Sequence, residues 1–526
     1  MKHIVPLCLA LSLAFSTRAF AHDHAGYSHD SNTGVTITDW MALVADDTFV
    51  DRISLPGTHD SMSLYGGDAV ATQTMSLEAQ LDAGIRVLDI RARLIDNGLA
   101  IHHGMVYQHA NMDDVFKTVT RWLSRHPAET VLMKVKDEYT ASNSTKPWAQ
   151  VFSEIITPYS AFIYTGNGIN VPLRELRGKI AVIHYFPENG SGRNYGDVNP
   201  YYFNTQDEYT LSTNWDLYWK WEEVKSQLKT TDELKKRNEG TVFMNHLSAA
   251  VGSFPYFVAS GHSSPGTAAP RLATGLTTPG MSGSYPDFPR VDCAGALCTI
   301  AFEGTNVLIT NYLNATQPPI EFTGIIMADF PGSGLIRAIV ERNLGKAIQV
   351  FEHVEYQGAS QFFTPGRYDY LAGGNGKIGN DMISSVRVPA GMKVTLYEGT
   401  GFSGRSKVLG SEQTSLPDFN DITSSMVVEE DNQVEVFDNF DYSGPSVKIR
   451  SGFSYYANSL HNDKISSVRI PPGLSITLYE NDGFKGRSKT LTASTPVLSD
   501  FNDVTSSLKA VEVAPVSPYS YGYRTQ

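Results

Sequence analysis

Ile53-Ser-Leu-Pro-Gly-Thr-His59-Asp60-Ser61 is followed by Arg86-Val-Leu-Asp89-Ile-Arg91-Ala-Arg93-Leu and then by Ala100-Ile-His102-His103-Gly104. Each is a short apolar, β-prone run whose far end carries histidine, aspartate or arginine. The pattern continues along the chain. Candidate strands at Arg52–Leu55, Arg86–Arg93, Thr130–Lys136, Lys179–Tyr185, Thr241–Asn245 and Gly324–Asp329 alternate with candidate helices at Ser76–Ala83, Asp113–Arg125, Pro147–Thr157, Trp215–Arg237 and Gly334–Asn343. Strand–helix alternation selects parallel strands joined by crossover helices. The expected fold of residues 39–345 is therefore an α/β TIM-like (distorted βα) barrel. In such a barrel the polar strand ends His59-Asp60, Asp89-Ile-Arg91, Lys136, His184 and Asp329 collect at one mouth, where chemistry is placed.

At 526 residues the chain is too long for one core, so a multidomain protein is expected. Met1–Ala21 has a basic start, an apolar run and Ala19-Phe20-Ala21 as a cleavage site, so it reads as a secretory signal. Residues 22–38 read as a polar, flexible leader and 514–526 as a flexible tail. The formal charge is −13, and without Lys2 and Arg18 it becomes −15, from 40 basic and 55 acidic residues. This balance excludes a nucleic-acid partner as an expectation. No later apolar run is long enough to cross a bilayer as a helix. A secreted monomer is expected.

Cleavage leaves Cys293 and Cys298, which are expected to pair in an oxidising compartment. They lie in a Gly/Pro/Ser/Thr-rich stretch between His262 and Thr305 that reads as a long edge loop. The helix from Trp215 carries two stripes. Leu217, Trp221, Val224 and Leu228 repeat at core spacing. Trp215, Tyr218 and Trp219 fall opposite, either to enter a lipid interface or to be covered by the C-terminal part of the chain.

Beyond Ala347 one unit of about forty residues recurs four times. Its first signature is Phe351-Glu-His-Val-Glu-Tyr356-Gln-Gly358, then Tyr397-Glu-Gly-Thr-Gly-Phe402-Ser-Gly404, Phe437-Asp-Asn-Phe-Asp-Tyr442-Ser-Gly444 and Tyr479-Glu-Asn-Asp-Gly-Phe484-Lys-Gly486. Its second is Asn380-Asp381-Met-Ile-Ser384-Ser385, repeated as Asn420-Asp421-Ile-Thr-Ser424-Ser425, Asn462-Asp463-Lys-Ile-Ser466-Ser467 and Asn502-Asp503-Val-Thr-Ser506-Ser507. These repeats resemble calcium-binding βγ-crystallin domains. The resemblance implies two all-β Greek-key sandwiches, 347–431 and 433–513, with Ca²⁺ held by oxygen donors from both repeats of each. The side chains it implies are Asp381, Ser384, Asp421, Ser424, Asp463, Ser466, Asp503 and Ser506. The plainer alternative is that the Asp and Ser side chains only cap turns.

Two histidines on strand ends, an arginine between them and attendant aspartates suit acid–base phosphoryl transfer. One imidazole accepts a proton from the attacking hydroxyl, the other donates to the leaving oxygen, and a cation neutralises the phosphate. Trp40-Met41, Ile53–Ser61, Leu88-Asp89-Ile-Arg91, His102-His103-Gly104 and Lys136-Asp-Glu138-Tyr139 resemble bacterial phosphatidylinositol-specific phospholipase C. The resemblance implies a metal-independent enzyme, with no cofactor for catalysis, that cleaves phosphatidylinositol at a membrane surface to diacylglycerol and inositol 1,2-cyclic phosphate. It gives His59 the role of base, oriented by Asp329, and His103 the role of acid, supported by Asp60. Arg91, beside Asp89, takes the phosphate charge. Lys136, Asp207 and Tyr209 bind the inositol. One departure is visible: Tyr185 stands where the family has an inositol-binding arginine, with Arg193 in the following loop as its candidate replacement. That departure keeps open a substrate such as a glycosylphosphatidylinositol anchor or another head group. A calcium-stabilised adhesion or coat protein with an inactive barrel is the alternative from another class.

Overall fold

The structure is a computed structural model. It describes residues 25–188, 193–236, 240–276, 283–295, 297–315, 319–371, 373, 377–389, 391–431, 433–451, 454–456, 462–471 and 473–512. The expected signal peptide and C-terminal tail lie outside these residues. The barrel strands are β1 (Leu55–Thr58), β2 (Val87–Ile95), β3 (Val131–Asp137), β4 (Ile180–Tyr185), β5 (Phe203–Gln206), β6 (Val242–His246) and β7 (Ile325–Ala328). Every pairing among them is parallel, in the order β4-β3-β2-β1-β7-β6-β5. No ladder joins β4 to β5 among the described residues, so the sheet curls into a distorted barrel that does not close. Burial on both faces explains the apolar starts of β3, Val131–Met133, and β4, Ile180–Ile183.

The first strand departs from expectation. Val50–Arg52 is a 3₁₀ turn, and the strand instead runs through Leu-Pro-Gly-Thr. Pro56 loses only its donor, because its carbonyl still accepts from Arg86 N–H at 2.9 Å. Gly57 is required by close approach, since a Cβ there would lie 2.5 Å from Met327 Sδ and 2.9 Å from Val87 Cβ. A Pro-Gly pair that reads as a turn is thus the tightest part of a strand. The β-prone run to His103 is the strand Gly98–His103, which forms a hairpin with Val106–Asn111 extending β2, and β5 and helices Pro255–Ser260 and Thr305–Ala315 were not expected.

The stretch 262–305 is not a plain loop. It carries an antiparallel sheet of Ala273–Leu276, Arg290–Ala294 and Leu297–Ala301, with the Cys293–Cys298 disulfide across the last two strands. This insertion, rather than the C-terminal units, covers the second aromatic stripe. Trp215 packs on Tyr285 and Phe302 at 4.7 and 4.9 Å, and Tyr218 on Tyr285 and Phe288. Only Trp219 stays exposed, at 63%.

The leader is also corrected from residue 25 onward. Tyr27 is 2% exposed and donates its hydroxyl to Pro265 O at 2.7 Å. Val35–Thr36 pairs in parallel with Gly358–Ala359. The stretch reads as flexible because its few apolar residues find partners only in distant parts of the chain.

In the C-terminal part, two separate cores draw on residues 348–428 and 434–510. Each pair of repeats exchanges a strand. Gly366–Tyr368 pairs with Ser425–Glu430, and Ser454–Tyr456 with Ser507–Glu512. Val386 bridges Gln413 and Val468 bridges Thr495 in return. A pair of repeats, not a single repeat, therefore completes a core.

At the base of β2, Arg86 and Glu129 form an ion pair of 2.7 Å with both side chains at 0% exposure. Arg86 also donates to Leu81 O and Ile85 O, and its guanidinium lies against Trp122 and Trp40. Removing one partner of such a pair strands a buried charge. Glu129→Ala is expected to lower the unfolding free energy of the barrel by about 3–5 kcal/mol, read from denaturant melts followed by tryptophan fluorescence. An unchanged midpoint would refute it.

Candidate active site

The parallel register gathers the polar strand ends. Asp89 lies opposite Lys134 and Arg91 opposite Lys136 on neighbouring β2 and β3. His59 and Asp60 follow β1, His246 ends β6, and Asp329 follows β7. Asp60 takes a left-handed backbone, φ 37°, which a short polar side chain tolerates better than most. The turn is fixed by Ser61 N–H donating to Asp89 O and Asp89 N–H donating to Ser61 Oγ, both at 2.8 Å.

His59 is held from both sides. Its Nδ1 is 2.8 Å from Asp329 Oδ1, and its Nε2 is 2.7 Å from Arg91 Nη2. A guanidinium only donates, so Nε2 presents its lone pair and the proton sits on Nδ1, donated to Asp329. Arg91 also donates through Nη2 and Nε to Asp89 Oδ2, at 2.8 and 3.2 Å. Lys134 Nζ stands 3.6 Å from the same oxygen.

Burial opposes ionisation of Asp89, but Arg91 and Lys134 outweigh it and hold the carboxyl well below the usual range. Burial and then Arg91 hold His59 well below the ordinary imidazole value. Burial, with Asp60 nearby, pushes Asp329 well up. The result is a neutral imidazole with a basic nitrogen facing the mouth.

His103, at the end of the hairpin strand, donates from Nδ1 to Val70 O at 2.8 Å and lies 2.9 Å from Ser63 Oγ. Asp60 Oδ2 is 3.5 Å away, so these two groups, not Asp60, are its direct partners. Ser63 and Val70 carry no sequence signal, since Val70 contributes only a carbonyl. Neither carboxylate oxygen of Asp60 has a hydrogen-bond partner among the described residues.

Lys136 reaches Glu138 at 2.9 Å, and Glu138 accepts from Gly104 N–H, which ties the hairpin tip to the mouth. Tyr185 faces inward, with Lys134 Nζ 5.0 Å from its ring. His184 takes the opposite face of β4 and meets Asp197. Arg193 is spent on Asp197 and Glu188 beside it. Arg193 therefore does not replace the missing arginine, and His184 does not line the mouth. Asp207 and Tyr209 follow β5 and are exposed. Exposed side chains follow the C-terminal strand ends on the same side: Tyr65, Met105 at the hairpin tip, Tyr139 and Phe254.

In the C-terminal units the candidate ligands meet across repeats. Asp421 Oδ1 is 3.0 Å from Ser384 Oγ, and Asp381 Oδ1 is 3.3 Å from Ser424 Oγ. Asp503 and Ser466 are 3.1 Å apart, and Asp463 and Ser506 are 3.4 Å apart. Ser384 and Ser424 donate to Glu352 O and Glu398 O. No group of three His, Cys, Asp or Glu side chains is placed to hold a metal among the described residues. The donors here are one carboxylate with hydroxyl and carbonyl oxygens, an all-oxygen set that fits a hard cation.

The family description "Phosphatidylinositol-specific phospholipase C, X domain" matches residues 59–185. A 1-phosphatidylinositol phosphodiesterase of Listeria monocytogenes is 29% identical over 373 residues, 65% of this chain and 98% of that protein. Development-specific protein S of Myxococcus xanthus is 31% identical over 169 residues, 31% of this chain and 97% of that protein. The solved structure of the Listeria monocytogenes phosphatidylinositol-specific phospholipase C aligns with a TM-score of 0.41 at 24% identity, covering 58% of this chain and 98% of that one.

Burial pushes Asp60 up to about 7. A carboxyl whose folded pKa is raised adds stability that is fully present below its unfolded value and lost as pH rises through 7. Asn cannot ionise. Asp60→Asn is therefore expected to match the wild type in stability near pH 4, to gain on it increasingly up to about pH 7, and to level off above that. Urea midpoints at a series of pH values measure this, and a constant difference would contradict it.

Proposed function

We propose that this chain, which carries the X domain of phosphatidylinositol-specific phospholipase C over residues 59–185 and belongs in part to the family of development-specific protein S, is a secreted phosphatidylinositol phosphodiesterase. The observation that carries the reading is the hydrogen-bond set of His59: Asp329 on Nδ1 and Arg91 on Nε2. When the lipid phosphate enters, Arg91 turns its donors to the phosphate oxygens and frees Nε2. His59 then removes the proton from the inositol 2-hydroxyl. The hydroxyl oxygen bonds to phosphorus as the phosphorus–oxygen bond to diacylglycerol breaks, and His103, entering as imidazolium with its Nδ1–H held by Val70 O, gives its Nε2 proton to that leaving oxygen. Asp89, kept ionised, holds Arg91 in place. Asp60 sets the charge between Arg91 and His103. Lys136, Asp207 and Tyr209 hold the inositol ring. The products are inositol 1,2-cyclic phosphate and diacylglycerol.

The exposed tyrosines around the mouth support a peripheral contact with the membrane, because an aromatic ring with a polar tip suits the interface. A second reading, cleavage of glycosylphosphatidylinositol anchors, is favoured by one observation: Tyr185, not a cation, lies inside the mouth beside Lys134. The arrangement of His59, Asp329, Arg91 and Asp89 weighs against an inactive barrel in an adhesion or coat protein.

The C-terminal units are calcium-binding βγ-crystallin domains in this reading. Asp421 with Ser384, Asp381 with Ser424, Asp503 with Ser466 and Asp463 with Ser506 would hold Ca²⁺, whose contribution is to fix the loops of the two repeats together. The ion has no part in phosphoryl transfer.

Two experiments test this. The full chain should release cyclic inositol phosphate from phosphatidylinositol vesicles in EDTA, and His59→Ala and His103→Ala should each lower kcat at least ~10²-fold. Complete loss of the wild-type activity in EDTA, or full activity of either variant, would overturn the mechanism. Calcium at about 100 times its Kd should add about 2.7 kcal/mol to the units that bind it, seen as a rise in their melting temperature. An unmoved transition would end the calcium reading.

A further inference from the structure

His246 closes β6 inside the barrel mouth and is 1% exposed. Its ring stands edge-on to that of His59, with centroids 5.9 Å apart and planes at 85°. Neither of its ring nitrogens has a hydrogen-bond partner among the described residues. The nearest carboxylate oxygen, Asp207 Oδ1, is 4.0 Å from Nδ1, beyond hydrogen-bond reach. A buried donor or acceptor left unmet costs about 1–3 kcal/mol, and such groups are rare in native proteins without a reason. Here two lie on one ring beside the proposed catalytic base.

The backbone around the ring is fixed. Gln206 donates from Nε2 to Asn245 Oδ1 at 3.2 Å and to His246 O at 3.4 Å. Lys220, fully buried on the helix Asp216–Lys236, donates to Gln206 Oε1 and Glu208 O. These bonds lock β5 to β6, so the imidazole has no route to a protein partner by a small shift of its strand. Burial, with Lys134 nearby, holds the imidazole neutral. A neutral imidazole offers one N–H donor and one acceptor nitrogen. The group that meets both kinds of demand is a hydroxyl, which donates and accepts.

We propose that His246 is a specificity-determining residue that hydrogen-bonds a head-group hydroxyl next to the one His59 deprotonates, and so selects a cyclic polyol head group. Neighbouring hydroxyls on one ring face the two imidazoles together. Asp207, on the far side of His246, accepts from the next hydroxyl around the ring. The assignment rests on the enzyme reading above. It also places the recognition lost with an arginine at Tyr185 on the end of β6, as neutral hydrogen bonding in place of a cation.

The test uses the full chain and two variants, His246→Phe and His246→Gln. Three quantities are measured: KM and kcat on phosphatidylinositol vesicles, the affinity for free myo-inositol by calorimetry, and the melting temperature. His246→Phe should raise KM and weaken myo-inositol binding by about 10-fold or more, with a smaller change in kcat, since about one hydrogen-bonded contact is lost. Its melting temperature should stay level or rise, because an apolar ring replaces unmet polar atoms. His246→Gln, which keeps a donor and an acceptor, should recover most of the binding.

KM and myo-inositol affinity within twofold of wild type in His246→Phe would overturn the proposal and assign the ring to a buried water. A lower melting temperature in both variants, with no recovery in His246→Gln, would overturn it in favour of a structural role. Failure of the wild type to cleave phosphatidylinositol would sink the enzyme reading alone. Failure of the wild type to bind myo-inositol would sink this one.

Discussion

Arg91 can only donate hydrogen bonds, and that constraint organises the mouth of the barrel. Its guanidinium meets Asp89 on one side and the Nε2 of His59 on the other. With Nε2 committed as acceptor, the His59 proton belongs on Nδ1, which points at Asp329. One cation thus fixes the tautomer of a histidine and the direction of its lone pair. Burying that cation is costly unless it is paired and hydrogen-bonded. Asp89 supplies the pairing, and Lys134 beside it keeps the carboxylate ionised in a buried setting. The arrangement leaves one donor of Arg91 on a ring nitrogen and not on a carboxylate.

Backbone register makes this possible. Parallel pairing of β2 with β3 sets Asp89 opposite Lys134 and Arg91 opposite Lys136, so four charges share one face at two depths. A slip of one residue in either strand would turn that strand's two charges outward and break both pairings. The register is anchored below by the Arg86–Glu129 pair and above by the reciprocal bonds of Ser61 and Asp89. Chemistry at the top of the barrel therefore depends on a salt bridge at its base that touches no reacting group.

Much of this was legible in the sequence because it depends on period and on strand ends. The apolar runs that became β2, β3, β4, β6 and β7 are visible within a few residues of their bounds, and the charged ends of β2 and β7 mark Asp89, Arg91 and Asp329. What escaped lies where tertiary context overrides local signals. Pro56-Gly57 reads as a turn, but Gly57 is needed for the close approach of β1 to its neighbours. The strand Phe203–Gln206 is short and polar. The sheet within 262–305 is hidden by its Gly/Ser/Thr-rich composition and short strands. Ser63, Val70 and His246 escaped for another reason: a carbonyl or an unmet ring nitrogen has no pattern along the chain. Lys134 and Lys136 share one face of β3 at two depths, the first beside Asp89 and the second bonded to Glu138.

The N-terminal segment before Trp40 makes a further connection. Ser28 N–H donates to Phe330 O, and His29 packs its ring on Phe330 at 4.8 Å. Phe330 follows Asp329, the hydrogen-bond partner of His59 Nδ1. A few residues on, Val35–Thr36 adds a strand to the first C-terminal unit, beside the strand Gln357–Phe363. That strand follows Glu352, whose carbonyl accepts from Ser384. Asp39 continues the link, meeting Lys377 of the same unit and His126 of the barrel. Gly332 and Gly334 admit the segment, since a Cβ at either would collide with Ala25. One stretch of chain is therefore hydrogen-bonded to the neighbourhood of the base at one end and to the first repeat unit at the other. Barrel and repeats share a backbone connection through space that their order along the sequence does not suggest.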